Sequence, residues 1–142
     1  MIVGIGVDMV RIDRFLPWVE NPALSRRFFA DAELAALEGR RDLAQALAVR
    51  FAAKEAFGKA LGCGLRNMVL KDIQVSQDGI GKPSLCLTGT AEKLFRDSGA
   101  TTSHLSLSHD GNYGLAYVIL EAGAEAAASE EKYAGNEQKK CE

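Results

Sequence analysis

The sequence predicts a single α+β domain followed by a short tail, and three observations carry that prediction. Helical signals crowd the first half of the chain, over residues 9–61. Alternation of apolar and polar residues takes over in the second half, as in Leu105-Ser106-Leu107-Ser108. Residues 43–61 form the longest helical signal, rich in Ala and Leu and free of Pro. The implied architecture is an antiparallel sheet packed with several helices around one long central helix. The chain has 142 residues, 47% of them apolar, which suffices to bury one core and excludes wholesale disorder.

Taken in order, Val3, Ile5 and Val7 alternate with Gly4 and Gly6. This reads as a strand over 2–7 whose glycines let another element approach closely, with Asp8 ending it. Residues 9–20 mix apolar residues with arginines and read as a helix stopped before Pro22. Asp31 is expected as an N-cap, with Leu34 and Leu37 on one face and Gly39 closing that helix. The 43–61 helix ends at Gly62-Cys63-Gly64. Strands are expected over 69–75 and 84–87, joined by the turn-forming Asp78-Gly79-Ile80-Gly81-Lys82-Pro83. Thr88 or Thr90 caps a short helix reaching Arg96. Asp110-Gly111-Asn112 is a hairpin turn, and 113–120 is the return strand. From Glu121 onward the composition shifts to Ala, Glu, Lys, Ser and Gly, with Tyr133 the one aromatic. The domain is therefore placed at residues 1–121, and 122–142 is expected to be a low-complexity, disordered or frayed tail.

Composition narrows the function. The net charge of −2 argues against a generic nucleic-acid binder, which needs a basic excess. No apolar run approaches the roughly 20 residues of a membrane helix, so no membrane partner is expected. The start, Met1-Ile2-Val3-Gly4, lacks the basic flank of a secretory signal, and Cys63, Cys86 and Cys141 form no disulfide framework. Both point to a cytoplasmic protein. Gly4-Ile5-Gly6 lacks the third glycine of a dinucleotide fingerprint. Ser108-His109-Asp110 holds the residue types of a catalytic triad, but neighbours on a strand point to opposite faces.

What remains is carboxylate, amine and glycine chemistry. Asp8 closes a buried-looking strand. On the central helix, Glu55, Lys59 and Gly62 share one face with Ala48 and Ala52, while Arg50 and Lys54 lie on a side shared with Phe57 and Leu61. Two readings stand. In one, Glu55 and Lys59 form a solvated pair worth about 0.2–0.5 kcal/mol. In the other, Asp8 and Glu55 hold a hard cation such as Mg²⁺, which takes one or two carboxylates, waters and substrate phosphate oxygens. Arg50, Lys59, Lys82 and His109 then supply phosphate contacts.

Three segments together resemble one family. They are Gly4-Ile5-Gly6-Val7-Asp8-Met9-Val10, Arg50-Phe51-Ala52-Ala53-Lys54-Glu55-Ala56-Phe57-Gly58-Lys59-Ala60-Leu61-Gly62, and Leu105-Ser106-Leu107-Ser108-His109-Asp110. In this order they resemble the holo-[acyl-carrier-protein] synthases, the small single-domain 4′-phosphopantetheinyl transferases, from residue 2 to about Leu120. The resemblance implies that fold, and an enzyme that moves the phosphopantetheine arm of coenzyme A onto a serine of apo acyl carrier protein, releasing adenosine 3′,5′-bisphosphate. It implies Asp8 and Glu55 as ligands of Mg²⁺, with Mn²⁺ as a substitute, and Asp8, Glu55 and Lys59 as the catalytic set. Arg50, Lys59, Gly62, Lys82, Pro83, Ser108 and His109 are implied around coenzyme A, with Lys82-Pro83 near the adenine. The first helical region receives the acidic carrier in this family, so Arg14, Arg26 and Arg27 are expected to dock it. A homotrimer with active sites between subunits is also implied, with Asp8 facing the Glu55 helix across an interface. Two positions depart from the pattern: Gly58 replaces a frequent Ser, and Cys63 replaces a small polar residue. A non-catalytic coenzyme A or nucleotide-binding module is the alternative; it would need neither carboxylate. A metal-dependent phosphotransferase or pyrophosphatase acting without a carrier is the other.

Overall fold

The computed structural model describes residues 1–123. Strand β1 spans Ile2–Arg11 and is followed by a 3-10 turn, Ile12–Phe15, and the helices α1, Leu16–Glu20, α2, Pro22–Phe28, and α3, Asp31–Ala35. The long helix α4, Leu43–Ala60, comes next. A second 3-10 turn, Leu70–Asp72, leads into the hairpin of β2, Ile73–Gln77, and β3, Pro83–Leu87. Helix α5, Gly89–Asp97, and the hairpin of β4, Thr102–Asp110, and β5, Tyr113–Glu121, complete the fold. The α+β class and the central helix match the expectation. The strands form two antiparallel sheets, one in the order β1-β5-β4 and one of β2 with β3.

Helix α4 is central because it is buried on nearly every side from Ala46 through Ala60, with Phe51 and Glu55 half-buried and Lys59 exposed. Its alanines let the sheet come close. A Cβ at Gly4 would lie 1.9 Å from the Ala60 carbonyl oxygen, and one at Gly6 would lie 1.8 Å from that of Ala56. The glycines of β1 are thus the surface on which α4 rests. On another side of α4, Phe51 meets a cluster of Phe15, Trp18 and Phe28, with ring centroids 5.5–6.3 Å from it. That cluster ties the 3-10 turn, α1 and α2 to the core.

Several expected boundaries move. Asp8 does not end β1; it pairs with Ala116, and the ladder continues to Arg11 opposite Tyr113. No helix spans 9–20. Pro17 stands in the first turn of α1, where a missing N–H is harmless, and cannot sit further inside a helix. Pro22 likewise starts α2 instead of stopping a helix, with the Asn21 side chain accepting from Ala23 N at 3.2 Å. Asp31 is the first residue of α3, not its cap. Glu33 reaches back to accept from Ala30 N at 3.0 Å. The strand expected over 69–75 begins only at Ile73, because residues 70–72 coil into the 3-10 turn. Thr88 is the N-cap residue of α5 by position. Thr90 instead donates to Asp72 Oδ2 and accepts from Val69 N, each at 2.8 Å. Ala122 donates to Met1 O at 2.8 Å, so the packed body reaches one residue past the expected boundary. Beyond Gly123 the expected tail, with Cys141 and Tyr133, lies outside the described residues. Among the described residues no helix is long and apolar enough to cross a membrane.

Candidate active site

Two periodicities converge on Asp8. Strand side chains alternate, so Gly4, Gly6, Asp8 and Val10 share the face of β1 that lies on α4. Gly6 and Gly4 meet the backbone of Ala56 and Ala60. Asp8, next on the same face, therefore comes against the helix turn that carries Glu55 and Lys59. Its side chain is 15% exposed, and Lys59 Nζ donates to Asp8 Oδ1 at 2.8 Å and to Val7 O at 3.1 Å. The solvated Glu55–Lys59 pair is thus not what forms: Lys59 turns to Asp8. Glu55 is half-buried, and burial together with the nearby Asp8 carboxylate pushes its pKa above the ordinary value, Lys59 partly offsetting them. Asp8, Glu55 and Lys59 belong to one chain, so Asp8 needs no interface to face the Glu55 helix.

The next turn explains a departure from the family pattern. After α4 the chain folds back so tightly that Gly64 N donates to Gly58 O at 3.0 Å. A Cβ at Gly58 would lie 2.3 Å from the Gly64 carbonyl oxygen, so glycine is required there. Gly62, at φ +76°, makes the reversal just beyond Lys59. Cys63 beside it donates to Gly64 O at 3.4 Å.

A second set gathers elsewhere. A cleft of about 230 Å³ between the first half of α4, the β2–β3 hairpin and the end of β4 is lined by Arg50, Ser108, His109 and Pro83, with Arg40 and Gln77. Arg50 is 5% exposed and donates to Ala46 O at 3.1 Å and to Gln77 Oε1 at 3.3 Å. Burial and the adjacent Arg40 guanidinium press its pKa down. Arg40 is itself paired with Asp42 at 2.6 and 2.8 Å, so the cationic character of the cleft comes chiefly from Arg50, whose hydrogen-bond partners are a carbonyl and an amide oxygen; such a site favours an anion. Lys82 is exposed at the hairpin tip, where its backbone N–H donates to Asp78 Oδ1 at 2.8 Å. Arg50 and Glu55 are five residues apart on α4, about 7.5 Å along its axis and on different sides of it. One chain therefore presents two separate sets of residues.

Arg14, Arg26 and Arg27 are all exposed, on the 3-10 turn and on α2. Asp8 is held by Lys59 and Asp13 by Arg11, so among the described residues no carboxylate is paired with Arg14. Sequence reasoning did not find the roles of Arg40 and Gln77, nor the buried Lys54–Glu33 ion pair. Their only signal was a lysine inside an alanine-rich run.

Comparison with known proteins identifies the family. The family model of the 4′-phosphopantetheinyl transferase superfamily matches residues 4–118. The holo-[acyl-carrier-protein] synthase of Treponema pallidum is 49% identical over 121 residues, covering 85% of this chain and 97% of that protein. That of Trichlorobacter lovleyi is 52% identical over 125 residues, covering 86% and 99%. The crystal structure of the Neisseria meningitidis holo-[acyl-carrier-protein] synthase superposes with a TM-score of 0.78 at 34% identity, covering 85% of this chain and 99% of that one. A Bacillus anthracis enzyme of the same name, in complex with CoA (3′,5′-ADP), gives 0.73 at 32%, covering 87% and 99%. Because the family model spans residues 4–118 and these relatives are about half identical over most of the chain, the chain belongs to the 4′-phosphopantetheinyl transferase superfamily.

Proposed function

We propose that this chain transfers the 4′-phosphopantetheine group of coenzyme A to a serine of apo acyl carrier protein, giving holo carrier and adenosine 3′,5′-bisphosphate. The observation that carries the reading is the convergence of Asp8, Glu55 and Lys59 where β1 lies on α4. Phosphoryl transfer needs positioning and charge neutralisation more than covalent help. Two neighbouring carboxylates, one pushed toward protonation, fit a hard divalent cation that completes its shell with water and phosphate oxygens. Asp8 and Glu55 would hold it, and Mg²⁺, or Mn²⁺ in its place, supplies neutralisation of the pyrophosphate and polarisation of the phosphorus. Lys59 brings an ammonium to the same point, where it meets the charge that develops on the departing phosphate. Glu55 accepts the serine proton, directly or through a water. Arg50, Ser108 and His109, with Lys82-Pro83 at the rim, hold the adenosine end of coenzyme A. Gly62 gives the pyrophosphate close access to the backbone.

The two sets of residues on different sides of α4 support a homotrimer in which one copy's carboxylates face another copy's Arg50 cleft. The outer face of the β1-β5-β4 sheet supports it too. Ile5, Val7 and Met9 are 51%, 47% and 62% exposed, and Tyr117 pairs beside Val7. So continuous an apolar face calls for a partner. Arg14, Arg26 and Arg27 form the docking surface for the acidic carrier. Free Cys63 and Cys86 support a cytoplasmic setting. Residues beyond Gly123 are assigned no part in the reaction.

The test is mass spectrometry of apo carrier protein after incubation with coenzyme A, Mg²⁺ and this chain. The phosphopantetheine mass increment on the carrier is expected. Coenzyme A binding with no increment would leave a binding module, and coenzyme A cleavage without a modified carrier would leave a pyrophosphatase.

A further inference from the structure

Lys54 is fully buried in α4, next to Glu55 in sequence but facing away from it. Its ammonium donates to Glu33 Oε2 at 2.8 Å, to Leu70 O at 3.0 Å and to Ile73 O, and lies 4.9 Å from the centre of the Phe29 ring. Glu33 is 3% exposed, and besides Ala30 N it accepts from Val75 N at 3.0 Å through Oε1. Burial pushes the Lys54 pKa down, and Glu33 pulls it back up.

The two β2 groups caught by this pair share one edge. In an antiparallel ladder alternate residues turn their N–H and C=O to the partner strand, and the residues between turn them away. β2 has β3 on one side only. Ile73 C=O and Val75 N–H, two residues apart, face the other side, and Lys54 and Glu33 occupy it as a third strand would. A buried ion pair is by itself weak evidence of stabilisation, but this one also satisfies four backbone groups that an apolar pair would leave unpaired. What the charged pair adds is a fixed register between α4 and β2. Two residues past Val75, Gln77 receives Arg50, and the hairpin then turns through Gly81 to Pro83 in the cleft.

We infer that the Lys54–Glu33 pair is a positioning device that locks the β2–β3 hairpin onto α4 and thereby sets the shape of the Arg50–His109 cleft for the nucleotide end of coenzyme A. The inference rests on the transferase reading above. Lys54 is accordingly a positioning residue that touches no phosphate, unlike its neighbours in the motif.

The experiment compares the wild type with the double variant Lys54→Met/Glu33→Leu, in steady-state transfer with coenzyme A and apo carrier varied separately, alongside thermal melting. The double variant removes both charges and keeps the volume. It also leaves Val75 N–H, Ala30 N–H and the Leu70 and Ile73 carbonyls without these partners, so it is expected to melt below the wild type; assayed below that transition, its KM for coenzyme A rises at least tenfold. Its KM for the carrier and its kcat stay within about threefold. A pair that serves stability alone gives wild-type kinetics in this variant, and an unchanged coenzyme A KM overturns the inference while transfer by the wild type stands. Equal rises in both KM values overturn it as well. Absence of transfer in the wild type removes the transferase reading and the inference with it. If the double variant does not fold, Glu33→Gln takes its place, with at least a threefold rise in coenzyme A KM expected and none overturning the inference.

Discussion

Gly6→Ala adds a single methyl group, yet it tests how the fold builds the site. The new Cβ would lie 1.8 Å from the Ala56 carbonyl oxygen and 2.7 Å from Ala60 N, against the 3.0 Å that real Cβ contacts respect. The obstacle is helix backbone, which cannot rotate aside as a side chain can. Helix α4 must therefore retreat from β1 by about 1.2 Å, the difference between 3.0 and 1.8 Å. Overpacking of this kind costs about 1–3 kcal/mol, and removing a glycine from a strand returns at most about 1 kcal/mol. Because the clash is with main chain, a net loss near 2 kcal/mol is expected. The same retreat stretches the Lys59–Asp8 bond from 2.8 Å toward 4 Å, out of hydrogen-bond range. Misplacement of about 1 Å in a positioning site costs on the order of 100-fold in rate. Urea unfolding followed by circular dichroism reads the first quantity, and carrier modification under single-turnover conditions reads the second. Wild-type stability and rate in Gly6→Ala would refute the claim that close approach of β1 and α4 creates the site.

Other perturbations separate the parts. Asp8→Asn and Glu55→Gln should each lower transfer at least 1,000-fold while remaining folded; turnover within tenfold in either, at saturating Mg²⁺, removes that residue from the site. Glu55 also carries a pH signature. Its folded pKa lies above the unfolded one, so its contribution to stability is present below about pH 4.5 and is lost as pH rises through the folded value. In chelator, Glu55→Gln should therefore gain stability over the wild type between pH 5 and pH 7 in urea titrations; a loss would contradict the assigned burial. Arg14→Ala should raise the KM for carrier protein at least fivefold with little change for coenzyme A, and added salt should mimic it in the wild type, since exposed charges are screened over about 10 Å at 0.1 M. Equal effects on both substrates would dissolve the docking assignment.

Much of this was legible in the sequence where the signal was local. The extent of α4 follows from its alanines and leucines, and the β4–β5 hairpin from alternation closed by Gly111-Asn112. Asp8, Glu55 and Lys59, which the structure brings together, each stand in a dense motif. The failures lie where one residue type serves two ends. Pro22 reads as a stop and is a start, because proline at a first turn and proline after a last turn leave the same local trace. Lys54 reads like any helical lysine until Glu33, twenty-one residues earlier, arrives beside it through the fold.

The first strand shows why a pattern can be right and its orientation hidden. Val3, Ile5, Val7 and Met9 alternate with Gly4, Gly6 and Asp8, and the apolar set would ordinarily mark the core face. Here the glycine face is the inner one, because only glycine admits the backbone of α4 at this distance. The apolar set is therefore turned outward, to between 37% and 62% exposure, next to Tyr117 of β5. An aspartate on the inner face would be a burden in an ordinary core. It is tolerated here because the small residues before it bring Lys59 within 2.8 Å. The same glycines thus account for both features: they draw the helix in to assemble Asp8, Glu55 and Lys59, and they leave β1 with an exposed apolar outer face. On the trimer reading, the catalytic carboxylates and the subunit interface lie on opposite faces of one strand, so a change in either face is felt by the other.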